Sequence, residues 1–211
     1  METALKLWKK VGMWFVLLVL VIIFTSISPA FRTVGNFGNI LKQISILGVA
    51  AVGISFVLIS GSVDLSIGSI IALEIVIMAK MLQAKMPLAL VIIVGMLVAA
   101  ICSTINGLLA NTLKIPAFTI TLATMNIYQG MAWLISGGKV LGGFITSRIS
   151  VFATKYLFGF MPLMGVVLIL SSIVGIYILS KTYFGRHVYA IGGNREAARL
   201  AGINTNRTVV Y

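Results

Sequence analysis

The chain has 211 residues, 60% of them hydrophobic and only 9% charged, whereas a soluble domain is about a quarter charged. So few charges cannot screen so much apolar surface in water, which excludes an ordinary soluble fold and points to lipid as the solvent for outward-facing side chains. The formal charge of +12 is spread thinly, without a run of basic residues, which excludes a nucleic-acid-binding stripe and leaves the Lys and Arg to set topology from the loops.

Six apolar runs, at 11–27, 44–60, 68–82, 87–109, 118–135 and 161–180, approach or match the roughly 17 to 25 residues that cross a bilayer. The predicted fold class is an all-α, polytopic membrane helix bundle. The first run follows Lys6, Lys9 and Lys10 and ends at Ser28-Pro29-Ala30, a pattern shared with secretory signals. Its apolar stretch is long for a signal core, and it reads as a retained helix.

Between the second and third runs lies a turn-like stretch holding Asp64. Ser66 or Asp64 is a candidate cap for the helix that follows. The third run is short and carries Glu74, so it is predicted to be tilted or packed inside the bundle. Asp64 and Glu74 are the only acids between Glu2 and Glu196. A charge at membrane depth costs at least about 2.5 kcal/mol and is usually functional or paired. Both are candidates for a substrate path, and Asp64 is equally open to a purely structural capping role.

The fourth run places Gly95, Ala99, Ser103 and Gly107 at every fourth position, one stripe down one helix face. A neighbouring backbone could approach closely along it, and Ser103 could hydrogen-bond across. The fifth sets Thr121, Thr124 and Tyr128 at i, i+3 and i+7, with Asn126 and Gln129 close by. In hydrocarbon such groups need partners or water, so a polar face is predicted to point inward, towards a path or another helix. Asn106, Asn126, Tyr128 and Gln129 are chemically suited to binding hydroxyl groups. Residues 136–160, Gly-rich and then mixed, read as an external loop with a short amphipathic or re-entrant piece.

Residues 1–10 carry three Lys, and residues 181–211 carry Lys181, Arg186, Arg195, Arg199 and Arg207 against Glu196. Both ends therefore read as cytoplasmic, in agreement with an even number of spans. The intermediate loops discriminate poorly, because Arg32, Lys42, Lys80, Lys85, Lys139, Arg148 and Lys155 fall outside in this arrangement. Enzyme motifs are missing. His187 and Cys102 stand far apart, leaving no metal-ligand cluster, and Ser136-Gly137-Gly138-Lys139 lacks the spacing of a phosphate loop. No cofactor is predicted, and any nucleotide chemistry belongs to a partner.

Three stretches resemble the permease subunits of bacterial ABC importers for ribose, xylose and similar sugars: residues 58–69 (LISGSVDLSIGS), residues 106–125 (NGLLANTLKIPAFTITLATM) and residues 182–203 (TYFGRHVYAIGGNREAARLAGI). The first differs from the family pattern in having Ser62 where a second Gly is usual. The third is the most specific, since a long match of mixed polar and small residues is hard to reach by chance. The resemblance implies a two-permease assembly with about ten helices per subunit, docked on cytoplasmic ATPases and supplied by an extracytoplasmic sugar-binding protein. It implies an ATPase-coupling loop at Asn194, Arg195, Glu196, Ala197, Ala198, Arg199 and Gly202. The pattern there reads as a short helix with Asn194 at its start and Gly202 at its end. The likeness runs to residue 211, where a seventh helix would begin, so the chain is expected to be the first part of such a permease and inactive alone. An intramembrane enzyme or a membrane scaffold are the competing classes. The enzyme lacks a visible nucleophile or metal cluster, and the coupling-type loop with the polar fifth helix favours transport over the scaffold. The sugar itself is not legible.

Overall fold

A backbone in hydrocarbon must satisfy its own hydrogen bonds, and a helix does so within one segment. Each of the six apolar runs accordingly lies in a helix, but for a residue or two at the ends of three of them. The computed structural model describes residues 2–139, 141, 155–157 and 161–210, with side chains from Val11 onward. Its α-helices are α1 (Glu2–Ile27), α2 (Val34–Ile59), α3 (Ile67–Gln83), α4 (Leu88–Leu113), α5 (Ala117–Ser136), α6 (Leu163–Lys181), α7 (Tyr183–Gly193), α8 (Arg195–Leu200) and α9 (Thr205–Val210). A single 3-10 turn, Pro29–Arg32, joins α1 to α2, and a two-residue bridge pairs Tyr156–Leu157 with Met161–Pro162 ahead of α6. Apart from residues 136–139, Leu141 and 155–157, the expected external loop over 136–160 lies outside the described residues.

The second helix begins ten residues before its apolar run. Hydropathy marks only the part of a helix that lipid covers, whereas capping chemistry marks where it starts. Here the Thr33 side chain accepts from the Asn36 amide at 3.2 Å. With 26 residues each, α2 and α4 are about 39 Å long, more than the roughly 30 Å hydrocarbon layer. At its far end α4 stops where Lys114 turns into the left-handed region, φ 55°, two residues before Pro116, which disfavours helix in the residue ahead of it.

Among the described residues, α2, α4 and α6 are long and apolar enough to cross a membrane by themselves, and Val11–Ile27 is a shorter apolar stretch. Short α3 and polar-faced α5 are not in that group. They pack chiefly on each other, with α4 as their shared neighbour. Their contact holds the buried core of Ile70, Leu73, Cys102, Tyr128 and Ala132. The second unit is the pair α2 and α6. Large apolar side chains such as Leu47, Met96, Leu134 and Ile176 stay exposed on the outer helix faces, the pattern of a bundle whose surroundings are as apolar as its core. The helices α7 to α9 fold back across one end, against α2, α4 and α6.

Candidate functional site

The two units meet at residues 60–66, a non-helical stretch between α2 and α3 in which Gly61 takes φ 78°. Asp64 organises this turn. Its Oδ1 accepts from the Ser66 amide at 2.7 Å and from the Ser66 hydroxyl at 2.6 Å. Ser66 is fully buried and its own side chain makes no cap bond to α3, so of the two candidate caps it is Asp64 that fixes the helix entry, acting through Ser66. The Ser66 hydroxyl in turn accepts from Asn106 Nδ2 at 2.7 Å, and the Tyr128 hydroxyl shares its proton between Asn106 Oδ1 and the Cys102 carbonyl, each at 3.1 Å. Thr121 Oγ1 accepts from the Leu65 amide at 3.2 Å. The turn is thus tied to α4 and α5 by a continuous chain of side-chain hydrogen bonds, each strengthened by the low dielectric around it.

Against this turn lies a cavity of about 630 Å³ between the two units. Asp64, Glu74, Asn106 and Thr121 reach its wall, together with Ser62 and Ser103, and the rest of the lining is mostly apolar, from α2, α3 and α4 with contributions from α5, α6, α7 and α9. Glu74 has no ion-pair partner among the described residues.

On the other side of the turn, α7, α8 and α9 form a compact segment. The Asn194 side chain accepts from the Ala197 amide at 2.9 Å and caps α8. Gly202, φ 86°, closes it, with its amide on the Arg199 carbonyl at 3.0 Å and that of Ile203 on Ala198 at 3.0 Å. Ala198 is buried against the segment, whereas Glu196, Ala197, Arg199 and Leu200 face outwards. Arg199 pairs with Glu196 at 2.6 Å, both side chains about two-thirds exposed, an arrangement that contributes little stability and leaves the charges available to a partner. Arg195 reaches Asn111 of α4 at 3.3 Å and Asn206 of α9 at 3.4 Å, and Asn111 donates to the Asn206 carbonyl at 2.8 Å.

A family pattern described as the permease component of the branched-chain amino acid transport system matches residues 36–211. The chain belongs to this permease family. It is similar to the ribose import permease of Bacillus subtilis, 36% identical over 203 residues, covering 96% of this chain and 63% of the relative. It is similar also to the ribose import permease of Haemophilus influenzae, 35% identical over 198 residues and covering 92% and 61%. The L-arabinose transport system permease of Escherichia coli is 38% identical over 207 residues, covering 97% and 62%. The chain thus spans a little over three-fifths of the length of these curated relatives. No solved structure matches it. It is a multi-pass membrane protein of this permease family.

In this permease the residues singled out in the sequence separate into three groups. Asp64, Glu74, Asn106 and Thr121 border the cavity. Thr124 and Tyr128 are buried between helices and serve packing, so the polar face of α5 points at its neighbours for most of its length. Asn126 and Gln129 are exposed on another face of α5, with Asn126 Nδ2 donating back to the Leu122 carbonyl at 2.9 Å, and neither lines the cavity. At about 100° per residue, Asn126 stands about 140° round the helix from Thr121, too far to share its face.

The small-residue stripe of α4 likewise divides. A Cβ on Gly95 would lie 2.7 Å from Met78 Sδ and 3.0 Å from Glu74 Oε1 of α3, and one on Gly107 2.9 Å from Val210 Cα of α9. Ala99 and Ser103 between them open on the cavity, and Ser103 does not bond across to any of the described residues. One residue was legible in the sequence only as a candidate cap, not as a bonding centre. Ser66, the centre of the hydrogen-bond chain, sits in a turn where periodicity carries no signal, and its partner Asn106 is 40 positions away.

Proposed function

We propose that this chain forms part of the path by which an ABC importer moves a monosaccharide, ribose or a related pentose, across the inner membrane, with the energy supplied by a separate cytoplasmic ATPase. The observation that carries this reading is the cavity at the Asp64 turn. Its lining is apolar in bulk with a few placed hydroxyl, amide and carboxyl groups, the composition of a small-molecule site. Relatives named for ribose and L-arabinose import supply the substrate class. The family description names branched-chain amino acids instead, but an amino acid brings a carboxylate that calls for a cation. No Lys, Arg or His lines the cavity among the described residues, which suits a neutral polyol.

In this reading the outward face of α8, with Glu196, Ala197, Arg199 and Leu200, meets the ATPase. The capped ends at Asn194 and Gly202 hold that face rigid. The N-terminus and residues 181–211 lie in the cytoplasm, a second permease subunit completes the path, and an extracytoplasmic binding protein delivers the sugar.

The test is uptake of radiolabelled ribose by cells that lack their own permease and carry the complete assembly. Glu196→Lys and Gly202→Trp are expected to abolish uptake while the permease stays in the membrane. Unchanged uptake and unchanged ATPase co-purification in both variants would remove the docking role. Leucine uptake in place of ribose would overturn the substrate class, and a topology reporter placing residues 181–210 outside the cell would overturn the orientation.

A further inference from the structure

We propose that Gly192 is a positioning residue, the joint through which α7 and α8 bear on the Asp64 turn and so move the cavity wall. The proposal rests on the reading that α8 meets an ATPase, and it names the contact by which that event reaches the substrate path.

The helix α7 lies along the end of α2. Phe184 stacks on Phe56 with ring centroids 6.4 Å apart, and Val188 and Ile191 are buried. In the last turn of α7 the side chains disappear. A Cβ on Gly192 would overlap the Ile59 carbonyl oxygen, and would lie 2.9 Å from the Ile59 carbonyl carbon and 3.4 Å from that of Ser60. From the other side, a Cβ on Gly61 would sit 3.7 Å from Gly192 Cα. Helix and turn therefore meet backbone to backbone.

Gly192 does not adopt the positive φ that demands glycine. Its lack of a side chain answers a close approach. The next residue supplies the contrast, since nothing lies within 4 Å of a Cβ on Gly193.

Such a joint transmits displacement with little loss, because a carbonyl group in a helix end cannot swing aside as a side chain can. Two residues after Gly192, Asn194 caps α8. Three residues after Gly61, whose φ of 78° makes the turn, Asp64 borders the cavity and holds Ser66. A shift of α8 thus passes from Asn194 to Gly192, to the Ile59 and Ser60 backbone, and on to Asp64. A direct side-chain link from α8 into the bundle, Arg195 to Asn111, is long at 3.3 Å and runs through two flexible side chains, so it is a weaker carrier than the backbone joint; α9, seated on α4 at Gly107, is a second route.

The experiment compares Gly192→Ala with Gly193→Ala in the complete transporter, reading ribose uptake, ATP hydrolysis and co-purification of the ATPase. For Gly192→Ala uptake is expected to fall about twofold to thirtyfold, the range of residues that modulate coupling between sites, with hydrolysis and co-purification unchanged. Gly193→Ala should match the wild type. Equal uptake in both variants overturns the proposal. So does loss of the ATPase from Gly192→Ala, which would make the residue part of the docking surface.

A second readout does not depend on the sugar. A Ser62→Cys reporter at the cavity wall is labelled with a maleimide, with and without a non-hydrolysable ATP analogue. Labelling should respond to the analogue in the Gly193→Ala background and not in the Gly192→Ala background, and a response in both overturns the joint. If wild-type cells import no ribose while the labelling contrast holds, the substrate reading fails and the joint stands.

Discussion

The α2–α6 pair and the α3–α4–α5 group are held together differently, although both sit where lipid gives helices no hydrophobic reason to associate. Between α2 and α6 the contact is steric. A Cβ on Gly48 would lie 2.6 Å from Leu168 Cδ1, and one on Gly175 2.8 Å from Val52 Cγ1, so each helix seats a branched side chain of the other in a glycine gap. No side-chain hydrogen bond passes between these two helices among the described residues. In the other group, Ser66, Asn106, Tyr128 and Thr121 bind the helices through polar atoms, and the aliphatic cluster around Leu73 fills the space beside them. The difference suits the positions. The steric pair satisfies its few polar side chains within each helix, as Ser45 does on the Leu41 carbonyl and Ser171 on that of Leu168, and needs no bond across. The bonded group keeps polar atoms at membrane depth, and its chain ends at the Asp64 turn beside the cavity.

Three substitutions, with Val52→Ala as a rescue of the first, break or sharpen this contrast. Gly175→Leu, which drives a large side chain into Val52, is expected to lower stability by about 3 kcal/mol, read from the unfolding midpoint in detergent. Adding Val52→Ala should restore part of the loss, because the two residues share one gap. A purely steric contact predicts that rescue, and its failure would mean that polar or backbone terms also hold the pair. Asn106→Ala removes both the donor to Ser66 and the acceptor from Tyr128 and is expected to cost about 2 kcal/mol, without rescue by any volume change nearby. Tyr128→Phe removes one interhelical bond and should cost about 0.6 to 1 kcal/mol, the size such bonds reach in membranes. If Tyr128→Phe proves costlier than Asn106→Ala, the chain is not centred on Asn106.

The helices were legible because a bilayer imposes one requirement, an apolar length, that any reader of the sequence can measure. Their starts were less so, since Thr33 caps α2 from outside the apolar run. The helix α7 was not foreseen, because its segment, YFGRHVYAIGG, carries three glycines and draws its stability from the end of α2 rather than from propensity. At the site, Asp64 and Glu74 stood out by charge alone, and Thr121 by its polar face. What the sequence did not disclose was pairing across distance. Asn106 looks like a lone amide in an apolar helix until Ser66 and Tyr128 are seen on either side of it, and Gly192 looks like any other glycine until Ile59 is seen against it.

The shortness of α3 has a consequence for how the protein is made. Its 17 residues with Glu74 near the middle are a poor stop signal for a translocon that judges one segment at a time, because a carboxyl there costs several kcal/mol in lipid. The helices on which it packs, α4 and α5, leave the ribosome later. The nascent chain is therefore expected to commit α3 to the bilayer only when residues 88–136 have followed it.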